Sequence, residues 1–245
     1  MNIAIADTTA DDRMTGLERF LEFWLGPRLP EYGEPAANLE KMELPDPLRR
    51  LYAFAGRWPP ADPPYCASRF HVQDRFLPFD RPSSSESVHR SGPYLVFVVE
   101  NQSCWEIATL PNGDDPSVWL RESDDLGDDP NLDEDKWQPL AIPLSQFLVT
   151  FVLQETIFSS QFVGWHEQAL SVFADRGCDV EPILINAPAE YAGPGLRHSY
   201  SLIDRRILLC CQSRDGDDWT NSFYGFNDAT AAESLERLNL PSKVR

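Results

Sequence analysis

The sequence predicts an α+β fold, in which a mixed or largely antiparallel sheet is flanked by helices and followed by a C-terminal α+β extension. Two observations lead to this fold class. Apolar residues recur at helical spacing before residue 56, and short β-branched and aromatic runs begin at residue 94. A chain of 245 residues with 42% hydrophobic residues is also large enough to bury a core without disulfide bonds.

The first helix is expected over residues 15–26, after a polar N-terminal tail of residues 1–14. Thr15 followed by Glu18 matches a capping box, and Gly26 with the following proline ends the pattern. Four apolar residues at i, i+3, i+4 and i+7 form the helical stripe, namely Leu17, Phe20, Leu21 and Trp24.

A second helix is predicted between Asp46 and Gly56. Asp46 is expected to cap this helix, and Pro47 suits its first turn because proline lacks an N–H that would need a partner. Gly56 is expected to end the helix in a left-handed conformation. The apolar stripe of the helix consists of Leu48, Leu51, Tyr52 and Ala55.

The pattern changes to strands after a stretch rich in Pro, Ser and Arg from residue 58 to 91. Three strands are predicted, at residues 94–100, 104–110 and 118–120. A helix that starts near Ser145 is expected to lie across the sheet that these strands form. Residues 15–160 are therefore predicted to be one α+β domain.

Residues 161–245 are predicted to form a further α+β segment on the same sheet or an adjacent one. A helix that stops at Gly177 is expected to carry four apolar residues on one face, namely Trp165, Ala169, Val172 and Phe173. Asp228 is expected to cap a final helix. Strands are predicted at residues 181–187, 198–204, 206–212 and 222–226.

The composition excludes several partners and compartments. The formal net charge is −18, and such a surface repels nucleic acid and anionic membranes, so neither is expected as a partner. The five cysteines form no C-x-x-C pair, which favours free thiols in a reducing compartment. The N-terminus lacks a signal-peptide pattern, and no run of 18 apolar residues exists, so a cytoplasmic location is expected.

No catalytic or cofactor-binding motif is found in the sequence, so no enzyme activity, cofactor or metal is expected. Gly193 and Gly195 begin like a dinucleotide fingerprint, but a proline separates them and His198 replaces the third glycine. Each of the four histidines is expected to be exposed or half-buried. An enzyme with its site in the C-terminal half is kept as a remote alternative.

Residues 114–135 carry ten carboxylates against a single arginine, Arg121. A solvated loop is the ordinary interpretation, and a loose calcium site is a second one, although the spacing of an EF-hand loop is not met. A third interpretation is a rim of carboxylates around aromatic anchors, which suits a basic protein surface. Three tryptophans flank the stretch or lie near it, and core packing is their ordinary role: Trp105, Trp119 and Trp137.

Four short segments resemble, in order, the motifs of the SUKH superfamily, which includes Smi/Knr-type cell-wall regulators of fungi and many bacterial immunity proteins. The first segment, from Leu44-Pro45 to Gly56, is similar to the second-helix signature of that family. Residues 97–102 with Trp105 resemble its central hairpin, and residues 114–119 resemble its D-P-x-V-W strand. Trp137 with residues 144–148 resembles its closing helix. The resemblance covers about residues 17–158.

The resemblance implies an α+β fold without catalytic residues and, in bacteria, an immunity protein that binds and blocks a cognate toxin, often a nuclease. Nuclease toxins tend to be cationic, and an acidic binder would be steered to them. A Smi/Knr-like regulatory or scaffold protein with several partners is the alternative. The candidate contact residues are six carboxylates and one aromatic anchor, namely Asp114, Asp115, Asp124, Asp125, Asp128, Asp129 and Trp119.

Overall fold

The computed structural model is an α+β protein built on two antiparallel sheets, which confirms the predicted fold class. The residues that it describes are 9–56, 81–82, 88–100, 105–122, 137–160, 162–214, 220–226, 235 and 243–244. The described residues up to 149 form one compact unit, which we call the N-terminal unit. Those from residue 150 onward form a second, the C-terminal unit.

Helix α1 spans Ala10–Leu25 and begins before the predicted residue 15. Its capping box consists of Thr9 and Asp12 rather than Thr15 and Glu18. The Asp12 N–H donates to the Thr9 hydroxyl oxygen at 3.2 Å, and the Thr9 N–H donates to the Asp12 carboxylate at 3.2 Å. These bonds satisfy two amide groups that have no partner inside the helix. The predicted tail therefore contains the first turn of α1.

Helix α3 spans Asp46–Ala55, close to the predicted helix. No side chain caps it, and Asp46 lies inside its first turn, where a carboxylate interacts favourably with the helix dipole. The predicted left-handed stop at Gly56 is wrong, because this residue has φ −61°. Close packing explains the glycine instead, since a Cβ at this position would lie 2.7 Å from the Tyr52 carbonyl oxygen.

The remaining elements of the N-terminal unit are two short turns of helix and one sheet. A 3₁₀ turn at Pro30–Tyr32 and helix α2 at Ala36–Leu39 connect α1 to α3. The strands are Arg81–Pro82 (β1), His89–Ser91 (β2), Tyr94–Val99 (β3), Trp105–Thr109 (β4), Ser117–Glu122 (β5) and Gln138–Pro143 (β6).

The first sheet has the order β1-β3-β4-β5-β6, with β2 also paired to β3, and each of these pairings is antiparallel. The strands predicted around residues 94–100, 104–110 and 118–120 are confirmed as β3, β4 and β5. Phe97 meets the edge of Phe147 with ring centroids 5.7 Å apart, so one face of the sheet packs against the helix that follows β6.

That helix, α4, spans Leu144–Ser159 and starts where the sequence predicted a helix. Apolar residues surround its axis rather than forming one stripe, and consecutive residues such as Phe151, Val152 and Leu153 are fully buried. A helix that is apolar on every side is typical of a buried position. The division between the two units falls within α4, at residue 150.

The C-terminal unit contains the second sheet, whose strand order is β12-β7-β11-β10-β9-β8. Each of its pairings is antiparallel. The elements are Phe162–Trp165 (β7), Ala169–Asp175 (α5), Val180–Pro188 (β8), Leu196–Ile203 (β9), Ile207–Arg214 (β10), Thr220–Phe226 (β11) and Lys243–Val244 (β12).

The helix predicted to include Trp165 is shorter than expected. Trp165 ends strand β7, where it pairs with Phe223, and α5 begins only at Ala169. The predicted stop at Gly177 agrees with its φ of +74°, a left-handed conformation that glycine adopts without strain. The final helix that Asp228 was expected to cap lies outside the described residues.

The two faces of the second sheet pack against different layers. On one face, Phe223 meets Phe158 of α4, and a Cβ on Gly225 would lie 2.6 Å from the Ile157 carbonyl oxygen. Glycine at this position therefore lets the backbones of β11 and α4 approach closely. On the other face, Tyr224 meets the edge of Phe173 from α5 within a buried apolar cluster.

Candidate functional site

The predicted contact residues divide into those that the structure describes and those that it does not. Asp114 is exposed in the turn between β4 and β5, Asp115 is half-buried beside it, and Trp119 lies in the middle of β5. The other four lie outside the described residues, namely Asp124, Asp125, Asp128 and Asp129. Of the seven predicted contact residues, the structure therefore describes only Asp114, Asp115 and Trp119.

Asp115 is held inside the N-terminal unit by three hydrogen bonds. Its carboxylate accepts the Ser145 N–H at 2.8 Å and the Ser145 hydroxyl at 2.7 Å, so it caps the first turn of α4. It also accepts a bond from Arg13 of α1 at 2.8 Å. The carboxylate thus joins α1, α4 and the β4–β5 turn. No local sequence signal indicates this role, because the partners lie 102 and 30 residues away.

Trp119 packs in an aromatic cluster on the face of the first sheet that does not carry Phe97. Its ring centroid lies 5.0 Å from that of Tyr94, and Tyr94 lies 5.3 Å from Trp137. Its indole Nε1 is buried and has no hydrogen-bond partner among the described residues. Trp137 is 5% exposed, whereas Trp119 is half-buried. Packing therefore accounts for most of the Trp119 side chain, and the exposed remainder lies on the same strand as exposed Glu122.

A buried ion pair lies on the same face, between Arg121 of β5 and Glu106 of β4, which are paired in register. Arg121 donates a bond from Nε to Glu106 at 3.2 Å and one to the Ser91 hydroxyl at 3.3 Å. Its guanidinium also lies 4.6 Å from the centre of the Trp137 ring. The one arginine of the acidic stretch is therefore used inside the unit and does not offset the surrounding carboxylates.

Most of the described arginines in the N-terminal unit also have a partner within the chain. Arg28 and Arg49 donate to main-chain carbonyl oxygens. Among the arginine and lysine side chains that the structure describes in this unit, only Arg19 and Lys41 show neither an ion pair nor a hydrogen bond. The other four cations are ion-paired, Arg13 with Asp115, Arg50 with Asp11 and Glu18, Arg90 with Glu43, and Arg121 with Glu106.

Not all exposed carboxylates of this unit are paired with a described cation. Six of them show no ion pair or hydrogen bond to any described residue, namely Glu22, Glu31, Glu40, Asp46, Asp114 and Glu122. Since each ion-paired arginine also neutralises a carboxylate of the unit, these six exposed carboxylates carry negative charge that a cationic partner would meet at the surface. This excess of exposed negative charge is the main electrostatic property of the site.

The histidine expectation is wrong for His198, which is fully buried on β9. Burial lowers the pKa of His198 to about 4, so its ring is neutral at pH 7. It belongs to a chain of hydrogen bonds with Tyr200 and Gln212 that the sequence analysis missed. A signal was present, because Leu196, His198, Tyr200 and Leu202 alternate along a strand with period two.

The described thiols are free but not activated. Cys178, Cys210 and Cys211 form no disulfide, while Cys66 and Cys104 lie outside the described residues. Burial raises the pKa of the Cys210 thiol and that of the Cys211 thiol, which keeps both protonated and poorly nucleophilic. In the described ranges, no group of His, Cys, Asp and Glu side chains is arranged to hold a metal ion.

Comparisons with known proteins assign no function to the site. No protein-family model matches the chain, and neither a curated protein nor a solved structure matches it. Among the described helices, none has both the length and the apolar character needed to cross a membrane.

Proposed function

We propose that this protein is a non-catalytic protein-binding module that recognises a cationic protein surface. More specifically, we propose that it is an immunity protein. In that role it binds and neutralises a basic toxin domain, such as a nuclease. One observation carries the proposal: among the described side chains of the N-terminal unit, every arginine except Arg19 has a partner within the chain, while six exposed carboxylates have none. A basic partner would supply the missing cations.

The contact surface in this proposal is centred on the acidic stretch that follows β4. Asp114 is exposed and lies beside the structural residue Asp115, which fixes the turn that carries it. We leave Asp115 out of the contact surface, because its carboxylate already binds Arg13 and Ser145. Asp114, Asp124, Asp125, Asp128 and Asp129 would form the rim, with the exposed part of Trp119 at its edge.

An acidic rim of this kind favours fast association more than it adds affinity. Complementary potentials raise association rate constants toward roughly 10⁸ M⁻¹s⁻¹ at low salt, and the gain fades as salt screens the charges. Such steering suits an inhibitor that must reach its toxin before the toxin reaches nucleic acid. It predicts a binding rate that falls steeply between low and moderate salt.

The experiment compares two variants of equal net charge. In the rim variant, Asp124, Asp125, Asp128 and Asp129 become Asn. In the control variant, Glu22, Glu31, Glu40 and Asp46 become Gln or Asn, and the formal charge rises from −18 to −14 in both. Each immobilised protein captures partners from a lysate of the source cells, and the dominant basic protein is purified and titrated by calorimetry.

A 1:1 complex that the rim variant weakens at least tenfold more than the control supports the proposal, provided that binding abolishes the toxic activity of the captured domain. Equal weakening by the two variants would remove the acidic stretch from the contact surface. Several partners whose binding does not depend on salt would instead indicate a regulatory or scaffold protein.

A further inference from the structure

A small cleft of about 80 Å³ lies in the C-terminal unit, between the second half of α4 and strands β10 and β11. Two amide side chains line it, Gln154 from α4 and Gln212 from β10. Apolar or uncharged groups form the rest of the wall, including Ile157, Phe158, Cys210 and Phe223. The lining side chains that the structure describes carry no charge, although the net charge of the protein is −18.

The orientation of Gln212 is set by a chain of buried hydrogen bonds behind the cleft. The Tyr200 hydroxyl donates to the Thr150 carbonyl oxygen at 3.0 Å, so its oxygen accepts from His198 Nδ1 at 3.1 Å. A neutral imidazole that donates through Nδ1 must accept through Nε2. Its Nε2 therefore accepts from the Gln212 amide nitrogen at 2.9 Å. This leaves the Gln212 carbonyl oxygen as an acceptor for the cleft.

The Gln154 amide leaves its NH₂ group, rather than its carbonyl oxygen, for the cleft. The Tyr191 hydroxyl donates to its carbonyl oxygen at 3.2 Å, so its NH₂ group is left as a donor for the cleft. The cleft thus offers one acceptor and one donor, each fixed by a buried tyrosine or histidine. A ligand group that carries both a carbonyl oxygen and an N–H matches this pair, whereas a carboxylate supplies acceptors alone.

From this geometry we infer that the cleft binds a primary carboxamide on a short apolar stem, with the Gln154 amide donating to the ligand carbonyl and the Gln212 carbonyl accepting from its NH₂ group. The volume limits the size of the ligand, since an apolar cavity that binds benzene has a volume of roughly 150 Å³, about twice that of the cleft. The cleft therefore takes an amide and a few carbons, as in a small amide or a glutamine side chain.

The surface beside the cleft can accommodate the rest of a larger ligand. Trp165 pairs in register with Phe223, so the two side chains point to the same side of the sheet. The Trp165 side chain is 47% exposed, next to the apolar wall of the cleft. The inference does not depend on the acidic surface, because its residues belong to the C-terminal unit.

The test uses three nearly isosteric probes on the whole chain at pH 7: propionamide, propionate and 2-butanone. Amide side-chain resonances of Gln154 and Gln212 are followed by ¹⁵N NMR during each titration. Propionamide is expected to shift both with a Kd on the order of 10 mM, as suits a ligand of few atoms. Propionate and 2-butanone, which lack the N–H donor, are expected to bind at least fivefold more weakly.

Variants then locate the site. Gln154→Leu and Gln212→Leu are each expected to weaken propionamide binding at least fivefold, while Gln138→Leu, at an exposed position of β6, leaves it unchanged. Because Gln154→Leu spares the His198 hydrogen bonds, it keeps the test informative if the Gln212 variant unfolds. Equal binding of the three probes, or no shift of the two glutamines at 100 mM propionamide, would overturn the inference.

A glutamine-containing tripeptide distinguishes the source of the carboxamide. If the cleft receives a side chain from a peptide, the tripeptide binds more tightly than propionamide, and Trp165→Ala removes the difference. If it receives a free small amide, the tripeptide binds no better. Shifts that appear away from the cleft in both titrations would contradict the site itself.

Discussion

The buried networks described above, in the N-terminal unit and in the C-terminal unit, are built from different chemical groups. In the N-terminal unit, the networks around Arg13 and Arg121 are ion pairs with the carboxylates Asp115 and Glu106. In the C-terminal unit, the network behind the cleft links neutral groups, the phenol of Tyr200, the imidazole of His198 and the amide of Gln212.

The chemical form of a buried network determines how much stability is lost when one of its side chains is removed. Removing one partner of a buried ion pair leaves a charge with no compensation, and this is costly in a medium of low polarity. Removing one member of a neutral network leaves only an unpaired dipole, which costs less. A neutral network, however, is sensitive to any pH at which its imidazole takes up a proton.

The largest expected effect comes from breaking the ion pair on the first sheet. Arg121→Leu leaves the Glu106 carboxylate buried without its cation, and we expect the free energy of unfolding to fall by about 3–5 kcal/mol. Urea denaturation measures this change. The double variant Arg121→Leu with Glu106→Leu should recover most of the loss, since it removes both charges. A double variant as unstable as the single one would contradict the ion-pair explanation.

The second effect is a loss of stability in acid that arises in the C-terminal unit. Burial holds the pKa of His198 at about 4, below its ordinary 6.5. The unfolded chain therefore takes up a proton below pH 6.5 that the folded chain refuses until pH 4, so stability falls as the pH drops through this window. Between pH 7 and pH 5 the loss is about 2 kcal/mol.

His198→Gln provides the control, because glutamine does not titrate. The difference in unfolding free energy between pH 7 and pH 5 should be about 2 kcal/mol smaller in this variant than in the unmodified protein. Every other side chain is the same in the two proteins, so the other contributions to the pH dependence cancel. Identical pH profiles would show that His198 is not held neutral.

The third effect separates two neighbouring carboxylates. Asp115→Asn weakens the cap on α4 and the pair with Arg13, so we expect a loss of about 2 kcal/mol of stability. Asp114→Asn changes an exposed side chain without a partner and should leave the melting temperature unchanged. Differential scanning calorimetry compares the two. A similar loss in both variants would mean that the general charge of the turn, rather than the internal contacts of Asp115, sets its stability.

The smallest effect concerns the strand β6 of the N-terminal unit. Ala141 has φ +52°, at the point where the register between β5 and β6 shifts. This left-handed conformation is strained for alanine and almost free of strain for glycine. Ala141→Gly is expected to raise the free energy of unfolding by about 0.5–1 kcal/mol. Ala53→Gly, at an exposed helical position of α3, should lower it by about 1 kcal/mol. Losses in both variants would contradict the strain at Ala141.

Much of the fold could be predicted from local sequence patterns. Strand β3 is a continuous β-branched and aromatic run, and α3 combines a helical stripe with a proline in its first turn. These signals lie within a few residues of the element that they define. The helix predicted to include Trp165 is wrong at that residue because the spacing of Trp165 to Ala169 fits a helix, whereas pairing with β11 places Trp165 in a strand.

The candidate site could be predicted only in part, because its chemistry depends on contacts between distant residues. The adjacent residues Asp114 and Asp115 look equivalent in the sequence, yet Arg13 and Ser145 make one of them structural. Similarly, nothing near Gln212 indicates that His198 fixes its amide. Composition predicts the sign of the surface charge, but only the folded chain reveals which charges are already neutralised.

The two adjacent cysteines of β10 have a practical consequence. Because side chains alternate along a strand, Cys210 faces α4 and the cleft, whereas Cys211 faces the opposite layer and accepts a bond from Ser222. A vicinal dithiol reagent that needs both sulfur atoms on one side cannot bridge them in the folded chain. Their separate alkylation rates, read by mass spectrometry, would therefore report which of the two layers opens first.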